Sequence, residues 1–265
     1  MRTQPVTQVD AFTNRAFAGN PAAVCVVEEP MDDATMQAIA REMNLAETAF
    51  LRRRPDGNDW DLRWFTPAVE VELCGHATLA SAHALWESGA ADTGSPLRFH
   101  TRSGVLGAAR GAGWIELDFP ALVSSESPAP SWLAGALGTD PVRVLRGPFD
   151  YLVEVGSEDV VRSLAPDIGM LAREPVRGFI VTAAGSGEFD FVSRYFAPAA
   201  GIAEDPVTGS AHCALAPFWA PRIGRDAMLA YQASARGGVV RVTLAGDRVL
   251  LGGQAVTTLR GELLL

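Results

Sequence analysis

Cysteine is scarce in this chain of 265 residues, with only Cys25, Cys74 and Cys213 present. The count is odd and fits no disulfide framework, so free thiols in a reducing cytoplasm are expected. No apolar run approaches a membrane span, and Met1-Arg2-Thr3-Gln4-Pro5 lacks the apolar stretch of a signal peptide. A net charge of -9 disfavours nucleic acid and anionic membranes as partners. Small anions are not excluded, because helix ends can bind them locally. Glycine and proline are dispersed, so no low-complexity linker appears. Three chemical signatures are also missing. Gly185-Ser186-Gly187 lacks the third glycine and following helix of a dinucleotide fingerprint, and Gly104–Gly113 has the wrong spacing. There is no Gly-x-Ser-x-Gly elbow of a serine hydrolase. His76 and His83 stand seven apart, whereas a helical metal site with Cys74 needs three or four, so no metal is expected.

What is present reads as an ordinary globular protein, 48% hydrophobic and 20% charged, large enough for two modest cores or one large one. An internal repeat is the most informative feature. Phe65-Thr66-Pro67-Ala68 is followed by Cys74-Gly75-His76-Ala77 and an Ala-rich run, Thr78 to Trp86. Phe196-Ala197-Pro198-Ala199 is followed by Thr208-Gly209-Ser210-Ala211 and a second run, His212 to Trp219. Each copy reads as a strand (Leu62–Phe65, Phe189–Phe196), a Pro-containing turn, then a Gly opening an apolar helix. Such a pair can turn two helix N-termini, with free N–H groups and positive dipole ends, toward one anion. Blocks repeating in one order point to duplication.

Around the repeat, Gln8–Phe12 and Ala22–Val27 read as strands joined by a loop with Gly19-Asn20-Pro21 turn chemistry. Asp33 is expected to cap a helix over Ala34–Met43, and Thr48–Arg52 to form a strand. Arg52-Arg53-Arg54 with Pro55-Asp56-Gly57 reads as a solvated hairpin end. Leu97–Thr101, Gly104–Arg110 and Trp114–Phe119 form a meander, and Pro120–Pro130 is a candidate boundary. Beyond it, Trp132–Leu137, Val160–Leu164 and Ile168–Ala172 read as short helices. Val142–Leu145, Tyr151–Val155, Phe179–Ala183, Ala227–Ala233, Val239–Ala245, Arg248–Leu251 and Gln254–Leu259 read as strands. Strands outnumber helices and each half holds one long central helix. The pattern predicts an α+β fold in which a curved sheet wraps a helix, rather than regular βαβ alternation.

Three segments could carry chemistry. Cys74-Gly75-His76 opens a helix, where the dipole lowers a thiol pKa and favours neutral imidazole. In Glu204-Asp205-Pro206-Val207-Thr208-Gly209-Ser210 a carboxylate stands beside helix-start amides and can act as acid or base while the amides hold an anion. The plainer reading is an acidic cap on helix Ser210–Phe218. Glu47 is a lone acid in an apolar context, where partial burial would raise its pKa, although a lone Glu before a strand is usually just exposed.

Together these blocks resemble the PhzF-like family of phenazine-biosynthesis isomerases, relatives of diaminopimelate epimerase and proline racemase. The resemblance runs from Val9-Asp10-Ala11-Phe12 and Gly19-Asn20-Pro21-Ala22-Ala23-Val24 through Met43-Asn44-Leu45-Ala46-Glu47-Thr48. It continues in Phe65-Thr66-Pro67 with Cys74-Gly75-His76-Ala77-Thr78 and ends in Glu204-Asp205-Pro206-Val207-Thr208-Gly209-Ser210-Ala211. It implies two pseudo-symmetric diaminopimelate-epimerase-like domains, each a curved, mostly antiparallel sheet around a central helix, with the site in the cleft between them. The expected halves are 1–118 and 119–255, with strand 256–265 returning to the first half and sheltering the apolar Leu263-Leu264-Leu265 end. It also implies a homodimer and proton transfer without a cofactor. On this resemblance Glu47 is the acid/base and His76 and Asp205 are its catalytic partners. Gly75, Gly209 and Ser210 offer anion-holding donors, and Cys74 and Thr208 complete the substrate site.

One departure matters. The amino-acid epimerase relatives carry a cysteine at both helix starts, whereas here Cys74 is matched by Thr208. A hydroxyl is a poorer base than a thiol, and no base to activate Thr208 is visible in the sequence. His212 and Cys213 read as packing residues. The expectation is therefore an isomerase that moves a double bond in a small carboxylated substrate. The alternatives are an amino-acid racemase using Cys74 and a binding protein that has lost turnover.

Overall fold

The computed structural model describes residues 3–55 and 57–265, so Asp56 of the expected hairpin end, like Met1 and Arg2, lies outside the described residues. By backbone contacts the chain divides into two compact units, Met1–Asp118 with Gly252–Leu265, and Phe119–Leu251.

The first unit begins with strands β1 (Thr3–Ala11) and β2 (Asn20–Val26), helix α1 (Asp33–Met43), and strands β3 (Glu47–Arg53) and β4 (Asp59–Phe65). A two-residue strand β5 (Glu70–Val71) precedes helix α2 (Gly75–Glu87). The meander β6 (Leu97–Thr101), β7 (Gly104–Gly111) and β8 (Trp114–Pro120) follows. Pairing runs β1–β2 antiparallel, β2–β3 parallel, β3–β4 antiparallel, β4–β6 parallel, then antiparallel through β7 to β8. Helix α2 is buried nearly all round, from His76 to Trp86, which its Ala-rich sequence, without Arg, Lys or Asp, permits. Helix α1 packs outside, on Cys25, Phe50 and Phe65. Its cap is Asp32, one residue before the expected Asp33, and Asp32 accepts the Thr35 N–H at 2.9 Å.

The second unit repeats this plan. It contains β9 (Ser125–Glu126), α3 (Leu133–Leu137), β10 (Arg143–Arg146), β11 (Asp150–Glu154), α4 (Glu158–Ser163), α5 (Ile168–Leu171) and β12 (Gly178–Ala184). Strand β13 (Phe191–Ala197), a 3-10 turn (Pro198–Ala200) and β14 (Ile202–Asp205) lead into helix α6 (Gly209–Ile223). Strands β15 (Ala227–Gln232), β16 (Gly238–Ala245) and β17 (Arg248–Gly253) come after it. Pairing again goes antiparallel β10–β11, parallel β11–β12, antiparallel β12–β13, parallel β13–β15 and antiparallel β15–β16. The same order of pairings, each with a buried helix before its last parallel step, bears out the α+β reading of two similar halves. The three extra residues of the second copy fall in the 3-10 turn and β14.

Helix α6 runs past the expected end at Phe218 and through Pro217 and Pro221. A proline inside a helix leaves the carbonyl four residues back without its donor. Here that carbonyl belongs to Cys213, and the Leu122 N–H reaches it at 3.0 Å.

The final strand, β18 (Ala255–Leu264), pairs antiparallel along the whole of β1. The expected shelter of its apolar end fails in part. Leu263 packs on the α1 core, but Leu264 and Leu265 stay exposed.

Candidate functional site

Residues placed at strand and helix starts in the first unit converge on one imidazole. Helix α1 ends at Asn44 in the left-handed conformation, and the chain turns straight into β3, whose first residue is Glu47. Parallel pairing with β2 sets Glu47 opposite Ala22, two residues beyond Asn20. Asn20 in turn depends on Gly19, whose φ is +65° and where any Cβ would strike the Ala11 carbonyl oxygen. Cys74 is the N-cap of α2, with extended backbone and no capping side chain. The first N–H groups of α2 therefore gain no partner from a capping residue.

His76 is buried at the centre. Its Nε2 lies 3.1 Å from Glu47 Oε2, with side-chain exposures of 5% and 12%. Its Nδ1 lies 3.1 Å from Asn20 Nδ2 and 3.5 Å from Cys74 Sγ. Glu47 Oε2 and His76 Nε2 are close but poorly aligned, and neither finds a hydrogen-bond partner among the described residues. Both atoms are shielded from solvent and face each other as an ion pair. Burial alone would lower the His76 pKa, but Cys74 and Glu47 outweigh it and hold the imidazole well above its ordinary value. This reverses the neutral imidazole expected from the helix dipole. Burial, reinforced by Glu47, pushes the Cys74 thiol up to about 11, against the expectation that the helix start would lower it. With that thiol protonated, the negative partner of His76 at neutral pH is Glu47.

Ligand atoms of Glu47, Cys74 and His76 all lie within 4.8 Å of one another, close enough to raise the question of a metal ion. Cys74 approaches one ring nitrogen and Glu47 the other. One ion can take only one of them, so the arrangement suits a proton relay better than a shared metal.

The second unit builds its counterpart at the start of α6. Thr208 is the N-cap and, like Cys74, has extended backbone and no side-chain cap bond, so the acidic-cap reading does not hold. Glu204 is engaged elsewhere, receiving Nε and Nη2 of Arg194 at 2.7 and 2.8 Å. Asp205 Oδ2 accepts the Thr208 hydroxyl at 2.5 Å, so Thr208 does have a base beside it, contrary to the sequence reading. Buried Gln232 clamps the turn. Its Oε1 accepts the Thr208 N–H at 2.8 Å, and its Nε2 donates to the Asp205 carbonyl at 2.7 Å and to Thr208 Oγ1 at 3.2 Å. Ser234 holds the Pro206 carbonyl at 2.8 Å. Gly209 is buried and Ser210 half-buried on the first turn of α6.

His212 and Cys213 point into the core. Burial lowers His212 to about 4, and its Nδ1 bonds the Thr208 carbonyl at 2.8 Å. Burial raises Cys213 to about 12. Sequence reasoning missed Asn20 and Gln232 as site residues. Asn20 carried a signal, standing in the Gly19-Asn20-Pro21 segment of the family pattern but read only as turn chemistry. Gln232, one glutamine at the end of a strand, carried none.

The family model for phenazine biosynthesis-like proteins, PhzC-PhzF, matches residues 9–261. An uncharacterized isomerase of Halalkalibacterium halodurans is 53% identical over 267 residues, covering 100% of both chains. The crystal structure of a phenazine biosynthesis protein of the PhzF family from Enterococcus faecalis is 40% identical, with a TM-score of 0.95 and both chains covered in full. A hydroxyproline epimerase from Agrobacterium vitis, solved with bound trans-4-hydroxy-L-proline, is only 12% identical. It covers 98% of this chain and 92% of its own with a TM-score of 0.67, so it shares the fold alone. Among the described residues no helix is long and apolar enough to cross a membrane. With the family pattern matched across residues 9–261 and a full-length relative at 53% identity, the chain belongs to the PhzC-PhzF family of phenazine biosynthesis-like proteins.

Proposed function

We propose that this protein is a cofactor-independent isomerase that moves a proton between two carbons of a small carboxylated substrate, with Glu47 as the acid/base. The observation that carries this reading is the Glu47–His76 pair, 3.1 Å apart, with His76 buried and Glu47 largely so. Glu47 takes a proton from one carbon, the electron pair shifts along the conjugated system, and Glu47 returns the proton to another carbon. A double bond moves and nothing is oxidised. His76, held as imidazolium, balances the carboxylate and faces the charge that develops on the substrate. Asp205, oriented by Thr208 and Gln232, is proposed as the second carboxylate of the same reaction. The helix-start amides at Gly75, Gly209 and Ser210 are proposed to hold the substrate's carboxylate.

The chain contains no lysine, since all 22 basic residues are arginine. No internal Schiff base to pyridoxal phosphate can form, which removes one cofactor route to proton transfer at carbon. Relatives named isomerases support the reaction class. A racemase reading would need Cys74 as thiolate, which a pKa of about 11 disfavours. The three free, buried cysteines suit a cytoplasmic protein. We further propose a homodimer, and light scattering that reports a monomer at micromolar concentration would count against it.

The experiment is incubation in heavy water with carboxylated cyclic dienes and with free amino acids. Deuterium should enter the dienes, and Glu47→Gln should slow that by roughly 10²–10⁴-fold. Loss of optical activity in a single amino acid would move the assignment to Cys74. No exchange with any compound would favour a binding protein.

A further inference from the structure

Successive residues of a strand face opposite ways, so on β3 Glu47 points away from the face that carries Phe50 and Arg52. Cross-strand register sets Phe50 opposite Arg63, Arg52 opposite Asp61, and Asp61 opposite His100. Beside α1 this face opens into a crevice of about 430 Å³, within the range of small-molecule sites. Its floor is apolar, made by Val27, Met36 and Phe50, and its rim carries Arg52, His100 and Arg102.

The charges around this rim are unevenly matched. Asp61 is shared by Arg52 and Arg54, Glu70 by Arg63 and Arg102, and Asp59 by His100 and Arg98. Arg63 also reaches Asp33, so five arginines share four carboxylates on a chain whose net charge is -9. Arg63 is fully committed, using Nε, Nη1 and Nη2. Arg52 and Arg102 each place a single nitrogen on a carboxylate and are 45% and 55% exposed. A guanidinium has five donors, so both keep several for a ligand. Either can turn toward one without stranding its carboxylate, which retains a second arginine.

We propose that this crevice binds a small aryl carboxylate, the carboxylate held by Arg52 and Arg102 and the ring lying on Phe50 and Met36. Guanidinium geometry matches a carboxylate in a two-pronged bond, and the apolar floor takes a flat ring that a bare inorganic anion lacks. The site does not depend on the isomerase reading, because it lies on the other face of β3 from Glu47.

The test is titration of the full-length protein with 2-naphthoate, followed by calorimetry and by a crystal soak. Saturable binding in the sub-millimolar range is expected, with the ring on Phe50. The uncharged 2-naphthamide and the double variant Arg52→Gln/Arg102→Gln should each weaken binding by roughly tenfold or more. If the glutamine variant does not fold, Arg52→Lys/Arg102→Lys serves instead, and it should still bind more weakly than wild type because the fork is lost. No saturable binding by wild type at millimolar naphthoate would overturn the proposal. So would unchanged affinity in a folded double variant, equal affinity for the amide, or inorganic phosphate binding as tightly as naphthoate.

Discussion

Replacing Glu47 with glutamine should reverse the pH dependence that His76 gives to folding. At 3.1 Å the wild-type pair attracts by about 5 kcal/mol at an effective dielectric constant of about 20. The cost of burying both groups offsets part of that. Because the folded imidazole titrates well above the unfolded value of about 6.5, the pair's contribution is complete below that pH. It declines as pH rises from there toward the raised folded value, where the native state holds a proton that the unfolded chain has released. In Glu47→Gln the carboxylate is gone and burial still raises the Cys74 thiol, leaving burial to dominate at His76. The folded imidazole should then titrate below 6.5, and stability should be lost as pH falls through that window. Each proton of difference is worth about 1.4 kcal/mol per pH unit. The stability gap between the two proteins should therefore narrow by up to about 4 kcal/mol from pH 5 to pH 8. Urea midpoints at four pH values measure it, and the other histidines, common to both proteins, cancel in the difference. Parallel curves would refute the ion pair. Wild-type turnover in the same variant would move the acid/base role to Asp205.

Three further changes probe separate parts of the structure. Cys74→Ser should keep much of the exchange activity in heavy water, because a thiol at about 11 is rarely ionised at neutral pH; a dead variant would make the thiol the base. Gln232→Met keeps the bulk but removes the bonds to the Thr208 N–H and the Asp205 carbonyl, so urea unfolding should show a loss of about 1–3 kcal/mol. An unchanged midpoint would mean that the turn does not need its clamp. Gly185→Ala would drive a methyl into the Phe189 backbone carbonyl, which cannot swing aside as a side chain would. It should lower the melting temperature by the equivalent of about 1–3 kcal/mol, and an unchanged melting curve would contradict the packing.

Much of this was readable from sequence because the repeat and the apolar spacing are local signals. The strands and both buried helices lie within a few residues of where alternation and the Gly-initiated runs put them. The errors have physical causes. Asp33 reads as well as Asp32 for a cap, and only the backbone at 32 shows which side chain turns back on the helix. Helix α6 survives Pro217 because a residue far away in sequence supplies the missing donor. The ionisation of Cys74 and His76 went the other way from the dipole argument because burial and Glu47, neither visible in a local motif, outweigh it. The short strands β5, β9 and β14 have too few residues to show any period. Asp205 and Thr208 were both singled out, yet their contact depends on a turn held by Gln232 from a later strand.

The pairing of β18 with β1 also sets an order of assembly on the ribosome. Every residue of β1, from Thr3 to Ala11, has its partner between Ala255 and Leu264. The first unit is thus begun before the second and completed after it, while residues 119–251 emerge in one stretch and can close their own core earlier. Until residues 255–264 have been made, one edge of β1 offers open backbone groups that another nascent chain could pair with. A change that removes residues 255–264 would leave the Glu47–His76 half unclosed, though every residue of its chemistry had been made.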